Sequence, residues 1–223
     1  MLQTPDQLPS VPSRDVESVP FGHLRIAFDD RLLRPRPWTA EQSRWAAELV
    51  TVAPEGPVLE LCAGAGHIGL LCTAVQSRPL VAVDVDPVAC GYARLNADAN
   101  GLGDLVEVRR GPVDAVLEAG ERFAVVIADP PWVRRAEVQR FPEDPLLAID
   151  GGDDGLDLAW LCLEVTAGHL ADGGSAVLQL GTPAQVDAVR ARLAAEPAMG
   201  LRVGEQRSFG DRGVLVRVDR QPG

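Results

Sequence analysis

Between residues 57 and 193, short apolar runs alternate with segments of helical pattern, and this alternation narrows the folds open to the chain more than any other feature. Pro57–Leu61, Leu80–Val83, Leu105–Val108, Phe123–Ala128 and Ser175–Leu180 read as strands. Ile68–Val75, Pro87–Ala99, Leu156–Leu170 and Pro183–Leu193 read as helices, the second with proline in its first turn. Repeated strand–helix units predict a doubly wound, mostly parallel α/β sheet. Nearly continuous apolar strands such as Ala124-Val125-Val126-Ile127 suit positions covered on both faces. Two last runs, Leu201–Phe209 and Val214–Val218, are split by Gly210-Asp211-Arg212-Gly213 and predict a C-terminal antiparallel hairpin.

Ahead of the alternation, residues 1–20 are rich in Pro, Ser and charge and read as a flexible arm, leaving residues 21–223 as one domain. Residues 23–33 alternate well enough for a short strand or hairpin. Arg34-Pro35-Arg36-Pro37-Trp38 cannot be helical. Thr39, with Gln42 three residues on, predicts a capping box that opens an amphipathic helix to about Val52. Trp45, Ala46, Leu49 and Val50 form its apolar side.

The formal net charge is −11 and every basic residue other than histidine is arginine. Phosphate-gripping proteins carry a basic stripe, whereas this chain has only short clusters, among them Arg31, Arg34 and Arg36, and Arg134, Arg135 and Arg140. No apolar stretch reaches the ~20 residues of a membrane helix, and the N-terminus lacks the pattern of a secretory signal. Cys62, Cys72, Cys90 and Cys162 form no C-x-x-C pair and read as small buried thiols, which suits a reducing cytoplasm. Asp150, Asp153 and Asp154, with Gly151, Gly152 and Gly155 between them, read as a solvated turn, and no metal site is expected.

The turn after the first core strand, Glu60-Leu61-Cys62-Ala63-Gly64-Ala65-Gly66-His67-Ile68-Gly69, contains G-x-G-x-x-G, and Asp84 closes the next strand where a ribose-binding acid belongs. Glycines let backbone approach a nucleotide, and the carboxylate can accept both ribose hydroxyls. An NAD-dependent oxidoreductase is therefore one reading. S-adenosylmethionine (SAM) is the other, because Glu60 just before the glycines suits a cationic amino acid group better than a pyrophosphate.

Asp129-Pro130-Pro131-Trp132 follows a buried strand at its carboxyl end, where open α/β sheets place ligands. The prolines stiffen the backbone and leave carbonyl acceptors, Asp129 adds a carboxylate acceptor, and Trp132 offers a flat face for stacking. Such a set can hold an NH2 group whose lone pair is conjugated and turn that lone pair toward a methyl donor. His67 sits close to the cofactor turn and is expected in a supporting or solvent role. His23 and His169 read as surface or packing residues, and Trp38 can line the substrate mouth.

These segments together resemble the HemK-like family, which includes the glutamine N5-methyltransferases of peptide-chain release factors. The resemblance runs from Arg34–Thr39 through Val58–Gly69, Val83-Asp84 and Asp129–Trp132 to Pro145–Asp157, or roughly residues 21–195. It implies a seven-stranded SAM methyltransferase fold. It also implies SAM contacts at Cys62, Ala63, Gly64, Ala65 and Gly66, at Asp84 with Val85 beside it, and at Val113 on the adenine side. The substrate would be oriented by Asp129, Pro130, Pro131 and Trp132. The family's first glycine is Cys62 here, its acid beside the adenine falls on Pro112 near Asp114, and its usual Asn-Pro-Pro-Tyr is Asp-Pro-Pro-Trp. Asn both donates and accepts, whereas ionised Asp only accepts. The first expectation is N-methylation of a glutamine side chain in a protein or peptide. Exocyclic amino groups of adenine or guanine in nucleic acid, or a small molecule, are the alternatives.

Overall fold

The computed structural model describes residues 15–221. A hairpin of β1 (Glu17–Phe21) and β2 (Leu24–Phe28) leads into α1 (Ala40–Val50). Then follow β3 (Val58–Leu61), α2 (His67–Gln76), β4 (Leu80–Asp84), α3 (Pro87–Ala99), β5 (Val106–Arg110) and β6 (Phe123–Ala128). After a long loop containing α4 (Leu146–Ile149) come α5 (Asp157–His169), β7 (Leu170–Leu180), α6 (Pro183–Ala195), β8 (Leu201–Ser208) and β9 (Val214–Arg220). Seven strands form one sheet in the order β5-β4-β3-β6-β7-β9-β8. Strands β3 to β7 run parallel, and β9 is antiparallel to both β7 and β8. The doubly wound sheet and its closing hairpin are as the sequence predicts.

Each face of the sheet carries its own core. On one side Val58, Val125, Ile127 and Val177 meet α1, α2, α3 and the β1–β2 hairpin. On the other, Leu59, Leu61, Val126 and Leu178 meet α5 and α6. Burial on both sides explains why β3 and β6 are apolar at nearly every position.

Beyond shifts of one or two residues at element ends, three features differ from the sequence reading. The hairpin begins at Glu17, inside the segment read as an arm, and the first fourteen residues of that segment lie outside the described residues. Strand β7 begins at Leu170 rather than Ser175: Leu170 pairs with Phe123, then the register shifts so that Ser175 pairs with Val125. The turn-like Asp172-Gly173-Gly174 is thus absorbed as an irregularity of the strand. The capping box predicted at Thr39 is also absent. A short turn over Pro37–Thr39 already makes Thr39 helical, and its hydroxyl donates to the Arg36 carbonyl. Gln42 instead points into the sheet and donates to the carbonyls of Ala128 and Val177, each at 3.0 Å. The box in this chain lies at Thr182 and Gln185, at the start of α6.

The hairpin is tied down by amides. Asn96 of α3 accepts from Ala27 N at 2.7 Å and donates to Ala27 O and Ala65 O. Behind it, Asp29 is buried (1% exposed) and accepts from the Tyr92 hydroxyl at 2.8 Å and from Arg31. The hydrogen-bonded Arg31 guanidinium holds the Asp29 carboxyl down at about 2. A carboxyl depressed by folding stabilises above its unfolded pKa, and that stability is lost as the pH falls through the folded one. Asp29→Asn is therefore expected to lower stability at pH 7 by about 2 kcal/mol. The gap to the unsubstituted protein should narrow between pH 4 and pH 2, and denaturant melts across that range check it.

Candidate active site

β3 and β6 are parallel neighbours in register, Leu61 beside Ala128, so the glycine turn and the Asp129 tetrapeptide leave the sheet at the same edge. The turn is held by Ala63 N donating to Val83 O at 3.0 Å and Gly66 N to Ala63 O at 2.8 Å. Gly64 and Gly66 have φ of +53° and +78°. Cys62 also sits in left-handed backbone, at φ +60°, which costs a non-glycine residue roughly 1 kcal/mol. Its sulfur lies 3.9 Å from that of Cys162 on α5. That contact and burial push the Cys62 thiol well up, so it stays protonated and is no nucleophile.

A cavity of about 280 Å³ opens over the turn. Cys62, Ala63, Gly64, Ala65, Asp84, Val85 and Val113 line it, together with Pro112, Arg31, Leu33 and Leu147. The Asp84 carboxylate accepts from Gly64 N at 2.7 Å and Asp86 N at 2.9 Å, and burial raises its pKa. A carboxylate has more acceptor capacity than these backbone donors use, and Asp84 lines the cavity, where a ribose diol could meet it. Val85 and Leu147 are half or more exposed and form apolar lips. Asp114 is not among the lining residues, so Pro112 alone holds that position.

Two residues expected at the cofactor lie elsewhere. Gly66 packs the turn against Ala93 of α3, where a side chain would crowd the Ala93 Cβ at 3.1 Å. Glu60 does not face the cavity. Its side chain turns under α2, where Oε1 accepts from Gly69 N at 3.0 Å and Oε2 is buried without a partner. A side chain at residue 69 would collide with this carboxyl. Burial pushes Glu60 up to about 8. The sequence placed Glu60 beside a cationic ligand group. The structure makes it the occupant of the α2 N-terminus, the end that would otherwise receive a phosphate.

The second, narrow cavity, of about 60 Å³, adjoins the tetrapeptide. Asp129, Pro130 and Trp132 line it with Trp38, Phe141, Arg36, Asp144 and Gln179. Pro131 lines the wide cavity instead, while Asp129, His67, Leu33 and Ala148 border both. Burial raises the Asp129 carboxyl to about 7, opposed by the Arg36 guanidinium. His67 is half-buried: its Nδ1 is buried without a partner, its ring stands edge-on to Phe21, and burial lowers it to about 4. Trp38 packs on Phe209 with ring centroids 6.1 Å apart.

The long loop after β6 braces the tetrapeptide. Val133 N donates to Ile149 O and Gly151 N to Val133 O, a parallel bridge beside Asp150. Gln185 Nε2 donates to the carbonyls of Trp132, Asp154 and Gly155, while its Oε1 accepts from Gly181 and Thr182 N–H. Trp132 lies flat over Gly181, which has no side chain to displace it. The Trp132 carbonyl is thereby committed internally rather than offered to a substrate. Asp150 accepts from Gly152 N and pairs with Arg135, and Asp154 accepts from Leu156 N, so these acids shape the brace. The sequence reading missed Gln185, Asp144 and Gln179. A glutamine near the end of the apolar run Ala176-Val177-Leu178-Gln179-Leu180 is the one visible signal.

A carboxyl raised by folding destabilises progressively as the pH climbs from its unfolded pKa to its folded one. Glu60→Gln removes that penalty. Its melting temperature should exceed that of the unsubstituted protein by a margin that grows from pH 5 to pH 8, reaching about 4 °C or more. Affinity for a nucleoside cofactor should stay within a few-fold, since Glu60 does not line the cavity. Thermal melts and calorimetry check both.

Comparison with known proteins agrees with this geometry. Residues 42–144 match the methyltransferase small domain family. A release factor glutamine methyltransferase of Clostridium acetobutylicum is 27% identical over 74% of this chain and 61% of its own length. A ribosomal protein uL3 glutamine methyltransferase of Burkholderia pseudomallei is 29% identical over 79% of this chain and 66% of its own. A release factor glutamine methyltransferase of Moorella thermoacetica is 36% identical over 73% and 59%. The chain thus spans about three-fifths to two-thirds of the length of these relatives. Among solved structures, a methyltransferase from Pyrococcus furiosus superposes with a TM-score of 0.65 at 20% identity, over 90% of this chain and 91% of that one. The hMettl16 catalytic domain in complex with MAT2A 3'UTR hairpin 6 gives 0.69 at 16%, over 90% and 76%. These two likenesses establish the fold. By sequence, residues 42–144 match the methyltransferase small domain, and the chain is similar to release factor and uL3 glutamine methyltransferases over part of their length.

Proposed function

We propose that this protein is a SAM-dependent N-methyltransferase that modifies a glutamine side chain of a protein. The observation that carries the reading is Asp129, which borders both cavities and so stands where a donor in the wide one meets an acceptor in the narrow one. The wide cavity fits SAM. Asp84 suits the ribose, the lips of Val85 and Leu147 suit a flat base, and nothing within 4 Å stands above Gly64 to block a close approach.

SAM supplies an electrophilic methyl group. The protein's part is orientation. Ionised Asp129 accepts an N–H of the substrate amide, which turns the nitrogen lone pair toward the donor and raises its electron density. The same carboxylate can take the amide proton as the N–CH3 bond forms, and release it to water. Trp38, Trp132 and Phe141 keep the narrow cavity largely apolar, which strengthens that hydrogen bond.

A protein acceptor is favoured over nucleic acid by the state of the arginines around the mouth. Arg31 pairs with Asp29, Arg34 with Glu17, Arg36 with Asp144, Arg135 with Asp150 and Arg140 with Glu137. A phosphate backbone would have to displace these acids. The names of the relatives support the same acceptor. The four thiols are free and suit a cytoplasmic setting. Among the described residues no helix is long and apolar enough to cross a membrane.

Labelled SAM incubated with cell extract should leave label that protease releases and nuclease does not, recovered on hydrolysis as N-methylglutamine. Label lost to nuclease alone overturns the reading. Asp129→Ala should keep SAM affinity within a few-fold and lower kcat by about 100-fold or more. Because only the ionised carboxylate can take up the amide proton, kcat should rise with pH through about 7, and Asp129→Asn should abolish that rise.

A further inference from the structure

We infer that Gln179 reads the carbonyl of the substrate's carboxamide, supplying the hydrogen-bond donor that Asp129 cannot. This rests on the reading of the site as a glutamine N-methyltransferase.

The register of β6 against β7 sets Ala128 beside Leu178. One step further along both strands, Asp129 and Gln179 stand side by side at the carboxyl edge of the sheet. Strand alternation puts Gln179 on the same face as Val177, and Asp129 on the same face as Ile127. Both of those residues belong to the core beneath α1, so the two polar side chains share a face. Both line the narrow cavity.

Gln179 is 3% exposed, and its Oε1 is buried without a hydrogen-bond partner. Among the described residues no hydrogen bond engages this amide, so its Nε2 donors are uncommitted beside the cavity. Other donors at this cavity are in part engaged, since Arg36 pairs with Asp144, Arg34 pairs with Glu17 and the Thr39 hydroxyl donates to the Arg36 carbonyl, and of the polar side chains there Gln179 is the one on the strand beside Asp129. His67 borders the wide cavity as well, whereas Gln179 lines the narrow one alone.

A primary carboxamide presents N–H donors on one side and a carbonyl acceptor on the other. Asp129 takes the N–H, and the Gln179 amide, rotating about its last torsion, gives Nε2–H to the carbonyl. The pair then discriminates by chemistry. A glutamate side chain has no N–H for Asp129 and is repelled by it. A lysine has no carbonyl for Gln179. The donor–acceptor pair is thus split between two strands, where one asparagine at residue 129 would carry both functions.

The test uses capped peptides that carry a single Gln, Asn, Glu or Lys at one position, with an adenine-containing oligonucleotide as a further acceptor. The proteins are the unsubstituted chain, Gln179→Glu, Gln179→Leu, and the exchange variant Asp129→Asn with Gln179→Glu. The unsubstituted chain should methylate the Gln peptide. Gln179→Glu and Gln179→Leu should raise KM for it at least tenfold, with SAM affinity by calorimetry unchanged. The exchange variant, which returns the donor to residue 129, should bring KM back to within a few-fold. Calorimetry with SAM identifies any variant that has failed to fold, and the exchange variant then decides the matter. Unchanged KM in the single variants, or an exchange variant no better than Gln179→Glu, overturns the role of Gln179 while leaving the methyltransferase reading intact. Methylation of the oligonucleotide but not of the Gln peptide by the unsubstituted chain overturns both.

Discussion

The parallel pairing of β3 with β6 is the constraint on which the rest of the molecule depends. The chain leaves β3 toward β4 and β5 on one side, then returns to lay β6 on the other. The two strands therefore end together, with no helix crossing between their tips. Everything chemically useful is attached to those ends: the turn after Leu61 and the tetrapeptide after Ala128. Helices on both faces bury the strands and hold this edge rigid, so the two cavities keep a fixed relation to each other. Loop residues here can be exact because the scaffold beneath them is not free to move.

The site's charges follow the same economy. Glu60, Asp84 and Asp129 are carboxyls brought close to one edge in a protein that is already acidic, and burial raises all three. They stay compatible because each has a different task. Glu60 binds backbone beneath α2, Asp84 binds backbone while keeping lone pairs for a ligand, and Asp129 has the open cavity before it. At the mouth the arginines do the reverse. Arg34, Arg36 and Arg135 each hold an acid on a neighbouring segment and so brace the loops.

Where the sequence is legible and where it is not has physical causes. Pro87–Ala99 and Phe123–Ala128 are readable to the residue, because Asp86 caps the helix that Pro87 opens and because a fully buried strand leaves an uninterrupted apolar run. The glycine turn, Asp84 and Asp129 are readable because backbone conformation and ligand chemistry both restrict residue type. Gln42 is not, since a glutamine three residues after a threonine looks the same whether it caps a helix or reaches into a sheet. The start of β7 is hidden because Asp172-Gly173-Gly174 has the composition of a turn while lying in an irregular strand. Glu60 misleads in another way. Its position in the sequence says that it is near the cofactor, but only the fold says that it faces the opposite way. The brace made by Gln185 and the run from Pro145 to Asp157 joins segments remote in sequence, and no local pattern announces it.

Asn96 gives the N-terminal hairpin an unexpected standing. With one side chain it pairs with Ala27 on the open edge of β2 and grips the Ala65 carbonyl inside the glycine turn. The hairpin lies outside the seven-stranded sheet, yet its seat is shared with the glycine turn that lines the wide cavity. A shortened version of this protein that begins at α1 would carry the whole sheet and still lack part of the mould that shapes its ligand turn. The smallest working unit is therefore larger than its sheet.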